Sequence, residues 1–104
     1  MVGAQLVALT WCSWLTAASG DVEVRVFQFR PGKLEVKGGS AVTWVNEDEI
    51  RHTVTSGVPE ARDGKFDGVL AGKGTRATVT FTEPGVYPYF CSRHQAMRGE
   101  VRVR

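Results

Sequence analysis

From Asp21 onward this chain places its apolar residues at every second position, in short runs broken by glycine and proline, and no long segment carries them at helical spacing. Side chains of an extended chain alternate between two faces, so this pattern restricts the fold to strands with one buried face. Val22, Val24 and Val26 open a first strand. Phe27 and Phe29 continue on the opposite parity, which either a bulge near Val26 or burial on both faces would explain. Pro31-Gly32 turns the chain, Leu34 and Val36 form a second run, and Gly38-Gly39 turns it again. Val42-Thr43-Trp44-Val45 makes a third strand that ends at Asn46, followed by the polar run Glu47-Asp48-Glu49, read as a solvated loop. His52-Thr53-Val54-Thr55 is β-prone, whereas residues 56–65, rich in Gly, Pro and charge, read as a surface loop. Phe66 to Leu70, Ala77 to Phe81, Tyr87 to Cys91 and Gly99 to Arg104 complete the set. Short strands at this spacing predict an all-β fold, a small antiparallel sandwich or barrel.

Charge divides the chain. The first twenty residues, Met1 to Gly20, carry no charged side chain, and all 13 Lys/Arg and 11 Asp/Glu lie beyond them. Val2 to Leu15 is largely apolar and leads into the small residues Thr16-Ala17-Ala18-Ser19-Gly20. That order predicts an export signal over 1–18, cut after Ala18, Ser19 or Gly20, and a single domain over 19–104 in the periplasm or secreted. No Lys or Arg precedes the apolar run, and the alternative is an uncleaved membrane anchor; the run is short of the about 20 residues a span needs. The net charge of +2, with no dense basic block, gives no case for nucleic acid as a partner.

Export also decides how the cysteines read. Cys12 falls in the segment to be removed, which leaves Cys91 alone in the mature chain. A lone thiol in an oxidising compartment needs an occupant, and a metal is one. Cys91, His94 and Met97 follow each other at intervals of three, delivered by a strand and a tight loop, and His52 is the chain's only other histidine. Met97 is the only methionine after Met1. Each residue alone is unremarkable: a methionine is usually core filler and a buried cysteine a small hydrophobe. Together they supply two imidazoles, one thiolate and one thioether, the donor set of a blue-copper centre cycling between Cu(I) and Cu(II). Such a site needs His52, Cys91 and His94 in a plane and Met97 as a weak axial ligand.

The segment Cys91-x-x-His94-x-x-Met97 resembles the ligand loop of the cupredoxins, the plastocyanin and azurin family, and its two-residue His–Met gap is similar to that of amicyanin. The resemblance extends through Phe81-Thr82-Glu83-Pro84-Gly85-Val86-Tyr87, through Met97-Arg98-Gly99-Glu100-Val101 and through Val42-Thr43-Trp44-Val45-Asn46 to His52-Thr53-Val54. It implies a Greek-key β-sandwich and a monomeric carrier of single electrons between redox protein partners, not an enzyme. It implies that His94 is the electron port, with Arg93, Gln95 and Ala96 as the partner surface. The family's usual Asn after the first histidine is Thr53 here, and its frequent Pro before the second is Arg93. A hydrogen bond from Thr53 to Ser92 is the expected substitute around the cysteine sulfur. Pro88, in the strand leading to Cys91, removes a ladder donor.

Three other readings use the same residues. A copper storage or delivery protein would share the ligands without carrying electrons. A cysteine enzyme would use Cys91 as nucleophile and His94 as base, but would leave Met97 without a role. A structural zinc site would use His52, Cys91 and His94 and would be colourless.

Overall fold

The computed structural model describes residues 19–104, so the export-signal reading of 1–18 and the fate of Cys12 lie outside the described residues. Nine strands and no helix make up the described residues: β1 (Ser19–Arg25), β2 (Gln28–Arg30), β3 (Lys33–Val36), β4 (Ser40–Asn46), β5 (His52–Val58), β6 (Ala61–Leu70), β7 (Arg76–Phe81), β8 (Gly85–Phe90) and β9 (Arg98–Val103). They form two sheets, one ordered β2-β1-β4-β7 and the other β3-β9-β8-β5-β6. Both are mixed rather than purely antiparallel, because β1 runs parallel to β4 and β3 parallel to β9.

The period-2 pattern places the core. Val42 and Trp44 of β4, Val22 and Val24 of β1, Val101 and Val103 of β9 and Leu70 of β6 are all buried between the sheets. Each such side chain contributes about 1.5–3 kcal/mol by leaving water. Aromatic rings fill the centre: Trp44 meets the ring of Tyr89 edge-on at 5.2 Å, and Tyr89 meets Phe29 at 4.8 Å. Tyr89 also lies flat over Gly99, its cross-strand partner in β9, where any Cβ would collide with the ring. Pro88 pairs with Glu100 of β9 on one side, and on the other it lies one residue beyond the β5–β8 pairing of Thr55↔Phe90 and Ser56↔Tyr89.

Two segments differ from the sequence pattern. Residues 56–65 are not a loop: β5 runs on to Val58, turns at Pro59-Glu60, and β6 starts at Ala61. The strand was hidden because Ala61 to Lys65 lie at a sheet edge, exposed on both faces, and so show no apolar alternation. A register shift between Thr55 and Gly57, with Gly57 at φ 101°, absorbs the irregularity. The parity switch at Val26-Phe27 is neither a bulge nor a doubly buried strand. It is a two-residue reversal between Arg25 and Gln28, and both central residues are exposed with positive φ, 53° and 59°. That conformation favours Asn or Gly. For residues with a Cβ it costs roughly 1–2 kcal/mol each, and burial does not offset the cost here.

Candidate metal centre

Asn46 ends β4 fully buried and organises the connection from one sheet to the other. Its Nδ2 donates to Ile50 O at 2.9 Å and Leu70 O at 3.2 Å, while its Oδ1 accepts Asp48 N at 2.9 Å. The chain thereby re-enters the second sheet at His52, opposite Leu70, with the imidazole completely buried. Cys91 follows the last residue of β8 and is also fully buried. The loop after it closes on itself: Cys91 N donates to Met97 O at 3.1 Å and Met97 N to His94 O at 2.8 Å. Met97 is buried at the end of this loop, while His94 is half-buried at its outer side.

His52 Nδ1 lies 3.7 Å from Cys91 Sγ, and His94 Nδ1 lies 3.8 Å from it. All three ligand atoms fall within 4.8 Å of one another. The spacing suits one metal ion. Metal–nitrogen contacts of about 2.0 Å and a metal–thiolate contact of about 2.3 Å, opened to about 120°, put nitrogen and sulfur about 3.7 Å apart. The donors are one soft thiolate and two imidazoles, a set that suits copper in a trigonal plane. His52, Cys91 and His94 are thus positioned as ligands of one copper ion.

The surroundings of the sulfur are built by continuing the β5–β8 register. Two steps beyond Thr55↔Phe90 that register sets Thr53 opposite Ser92. Ser92 N donates to Thr53 Oγ1 at 2.8 Å, and Thr53 Oγ1 donates to Ser92 Oγ at 3.1 Å. Thr53 N in turn donates to Cys91 Sγ at 3.4 Å. Thr55 extends the chain of hydroxyls, 2.9 Å from Thr53 Oγ1 and donating to Asp67 Oδ1 at 2.9 Å. Arg93, Gln95 and Ala96 are exposed around His94.

Sequence reasoning missed Asp48. The acidic run 47–49 is only partly a solvated loop: Glu47 and Glu49 are exposed, but Asp48 points inward to His52. Its Oδ2 lies 2.8 Å from His52 Nε2. Burial alone pushes the Asp48 carboxyl up, but hydrogen bonds from the amides of Val26 and Phe27 and from His52 outweigh it and hold the group below its ordinary value of 3.8. An ionised carboxylate only accepts, so the hydrogen-bond partner assigns the proton to His52 Nε2 and leaves the Nδ1 lone pair facing Cys91. The available signal was the spacing of four residues between Asp48 and His52 across a short connection. Phe27 was also missed; its ring stands edge-on to His52 at 5.6 Å and to His94 at 5.0 Å.

The chain matches the family model described as copper binding proteins, plastocyanin/azurin family, over residues 16–104. It is 31% identical to amicyanin-alpha of Methylorubrum extorquens over 84% of this chain and 73% of that protein. It is 33% identical to amicyanin of Paracoccus denitrificans over 79% of this chain and 63% of that one. Among solved structures it is similar to a purple cupredoxin from Nitrosopumilus maritimus, with 29% identity, a TM-score of 0.74 and coverage of 82% of this chain and 99% of that chain. A copper-containing nitrite reductase from Thermus scotoductus also matches, at 33% identity and TM-score 0.70, with 83% of this chain on 22% of the enzyme chain. On the match of its whole described length and the three converging ligand atoms, the chain belongs to the plastocyanin/azurin family of copper binding proteins.

Proposed function

We propose that the protein carries single electrons on a copper ion that His52 Nδ1, Cys91 Sγ and His94 Nδ1 would hold, with the Met97 thioether as a weaker fourth donor. The observation that carries this reading is the convergence of the two Nδ1 atoms on one buried sulfur at 3.7 and 3.8 Å. Copper bound there supplies a one-electron Cu(II)/Cu(I) couple. The protein's part is to keep the donor geometry fixed, so that little rearranges when the charge changes. His52 is held by Asp48, Cys91 by Thr53 N, and the loop ends by the Cys91–Met97 and Met97–His94 backbone bonds.

His94, half-buried beside the exposed Arg93, Gln95 and Ala96, is the port through which the electron leaves. Arg93, with exposed Arg51 next to the other histidine, makes the rim basic. The fitting partner is a redox protein with an acidic surface, and the bimolecular rate with such a partner falls as salt rises. A rate that rises with salt rules the acidic partner out. The protein acts as a monomer, exported to the periplasm or beyond after loss of residues 1–18. Cys91 is fully buried, which suits a ligand and not a nucleophile that must meet substrate.

The test is addition of Cu(II) to the purified protein lacking the leader. An intense thiolate-to-copper absorption, reversible reduction and fast self-exchange are expected, and Cys91→Ser abolishes the colour. A colourless product points to zinc or no metal; a coloured product without reversible reduction points to copper storage or delivery.

A further inference from the structure

The reversal at Val26-Phe27 has no turn residue to favour it, and both side chains are more than half exposed or nearly so, at 62% and 50%. What holds it lies 21 and 22 residues away. Val26 N donates to Asp48 Oδ1 at 2.8 Å, and Phe27 N donates to Asp48 Oδ2 at 3.1 Å. The same Oδ2 accepts a hydrogen bond from His52 Nε2 at 2.8 Å. A further backbone bond, Glu47 N to Val24 O at 2.8 Å, fastens the two segments side by side. One carboxylate therefore uses three of its about four acceptor sites on two objects: a buried metal-facing histidine and a turn in a left-handed conformation. The turn presents the Phe27 ring to both histidines, which are themselves 5.2 Å apart by ring centroids.

We propose that Asp48 is a positioning residue that couples the metal centre to its outer cover, orienting His52 and locking the Val26-Phe27 turn so that Phe27 stands over His52 and His94. The proposal rests on His52 being a metal ligand only in its second half. The lock on the turn belongs to the protein with or without metal. The coupling arises because a metal on Nδ1 fixes the proton on Nε2, so that Asp48 keeps its donor at all times. In the metal-free protein Asp48 alone holds the proton on Nε2, and whenever the imidazole takes its other tautomer the carboxylate loses one of its three donors. By reciprocity, metal binding orders the turn and an ordered turn favours the metal-ready histidine.

The test is hydrogen exchange of the Val26 and Phe27 amides, followed by NMR in the metal-free and Cu(I)-loaded protein, both of which are diamagnetic. In the metal-free state Asp48→Ala speeds exchange of both amides roughly tenfold or more, and the isosteric Asp48→Asn, with one acceptor oxygen in place of two, speeds at least one of them. Exchange at wild-type rates in either folded variant overturns the lock. Loading wild type with Cu(I) slows both amides, and loading either variant leaves them unchanged; equal rates in loaded and metal-free wild type overturn the coupling. A third variant separates positioning from simple support. Adding Val26→Asn alone to Asp48→Ala supplies a residue that favours the first turn position and keeps the Phe27 ring. It restores the contacts of the Phe27 ring with His52 and His94, read by nuclear Overhauser effects, but not the wild-type reduction potential or Cu(II) hyperfine splitting. Full restoration of both spectroscopic values shows that Asp48 acts only on the turn and overturns its role at His52. Failure of wild type to take up copper refutes the proposed function while the metal-free comparison still decides the lock.

Discussion

Thr53 and Ser92, 39 residues apart in the chain, are bonded to each other twice, through Ser92 N to Thr53 Oγ1 and through Thr53 Oγ1 to Ser92 Oγ. The hydroxyl stands where relatives of this family usually carry an asparagine amide, and it joins the strand that bears His52 to the loop that bears His94. Thr53→Val keeps the shape and removes the oxygen, leaving Ser92 N without its acceptor. The expected loss of stability is about 1–3 kcal/mol, read by denaturant unfolding of the metal-free protein. The loaded variant is expected to release copper to a chelator faster than wild type.

In the proposed ligand set Met97 would offer the weakest bond, so its loss is expected to leave the thiolate colour in place. Met97→Leu keeps the volume and the burial while removing the thioether. A higher-coordinate site favours Cu(II), so the variant's reduction potential rises. Direct electrochemistry on the loaded variant checks this; an unchanged potential shows that Met97 is packing alone.

Asn46 satisfies three backbone groups from a fully buried position. Asn46→Ala strands two carbonyls and one amide and costs about 2–4 kcal/mol. Asn46→Asp costs more, because a carboxylate facing Ile50 O and Leu70 O repels both. Thermal unfolding of the two variants against wild type measures the order.

Tyr89 buries its hydroxyl without a hydrogen-bond partner, as Trp44 buries its Nε1. Burial pushes the phenol up to about 12 from its ordinary 10.0, and the neighbouring Trp44 N–H, too poorly aligned to count as a bond, offsets only part of that. The folded state thus keeps its proton where the unfolded chain has lost it. Stability is fully present below pH 10 and falls between pH 10 and 12, by about 2–3 kcal/mol for this one group. Tyr89→Phe is expected to fold with unchanged or greater stability at pH 7 and to lack that part of the alkaline loss. Urea unfolding at pH 7, 10 and 11.5 gives the difference.

Alternation was enough to locate Val42, Trp44, Val101 and Val103 in the core, because each lies on a strand with one buried and one open face. His52, Cys91 and His94 were equally readable, since copper chemistry needs those side chains and the chain has few others like them. Ala61 to Lys65 could not be read as strand, because an edge exposed on both sides has no periodicity to show. The Val26-Phe27 turn could not be read either. Its conformation is imposed by Asp48 from another connection, against the local preference of both residues. For the same reason Asp48 was taken for one more solvated acid: its partners are neighbours in space, not in sequence.

The exposed start of β6 bears on how the protein behaves in a crowd. An outermost strand offers a row of unpaired backbone groups to any second copy of the chain, and flat apolar edges grow into aggregates that way. Here the outermost strand of the five-stranded sheet carries Arg62, Asp63, Lys65 and Asp67, all exposed, with Gly64 at φ 74° and a register shift opposite it in β5. A copy approaching that edge must strip water from charges and match an irregular backbone. The stretch that looked like featureless loop in the sequence is what lets a two-sheet sandwich end there instead of continuing into its neighbour.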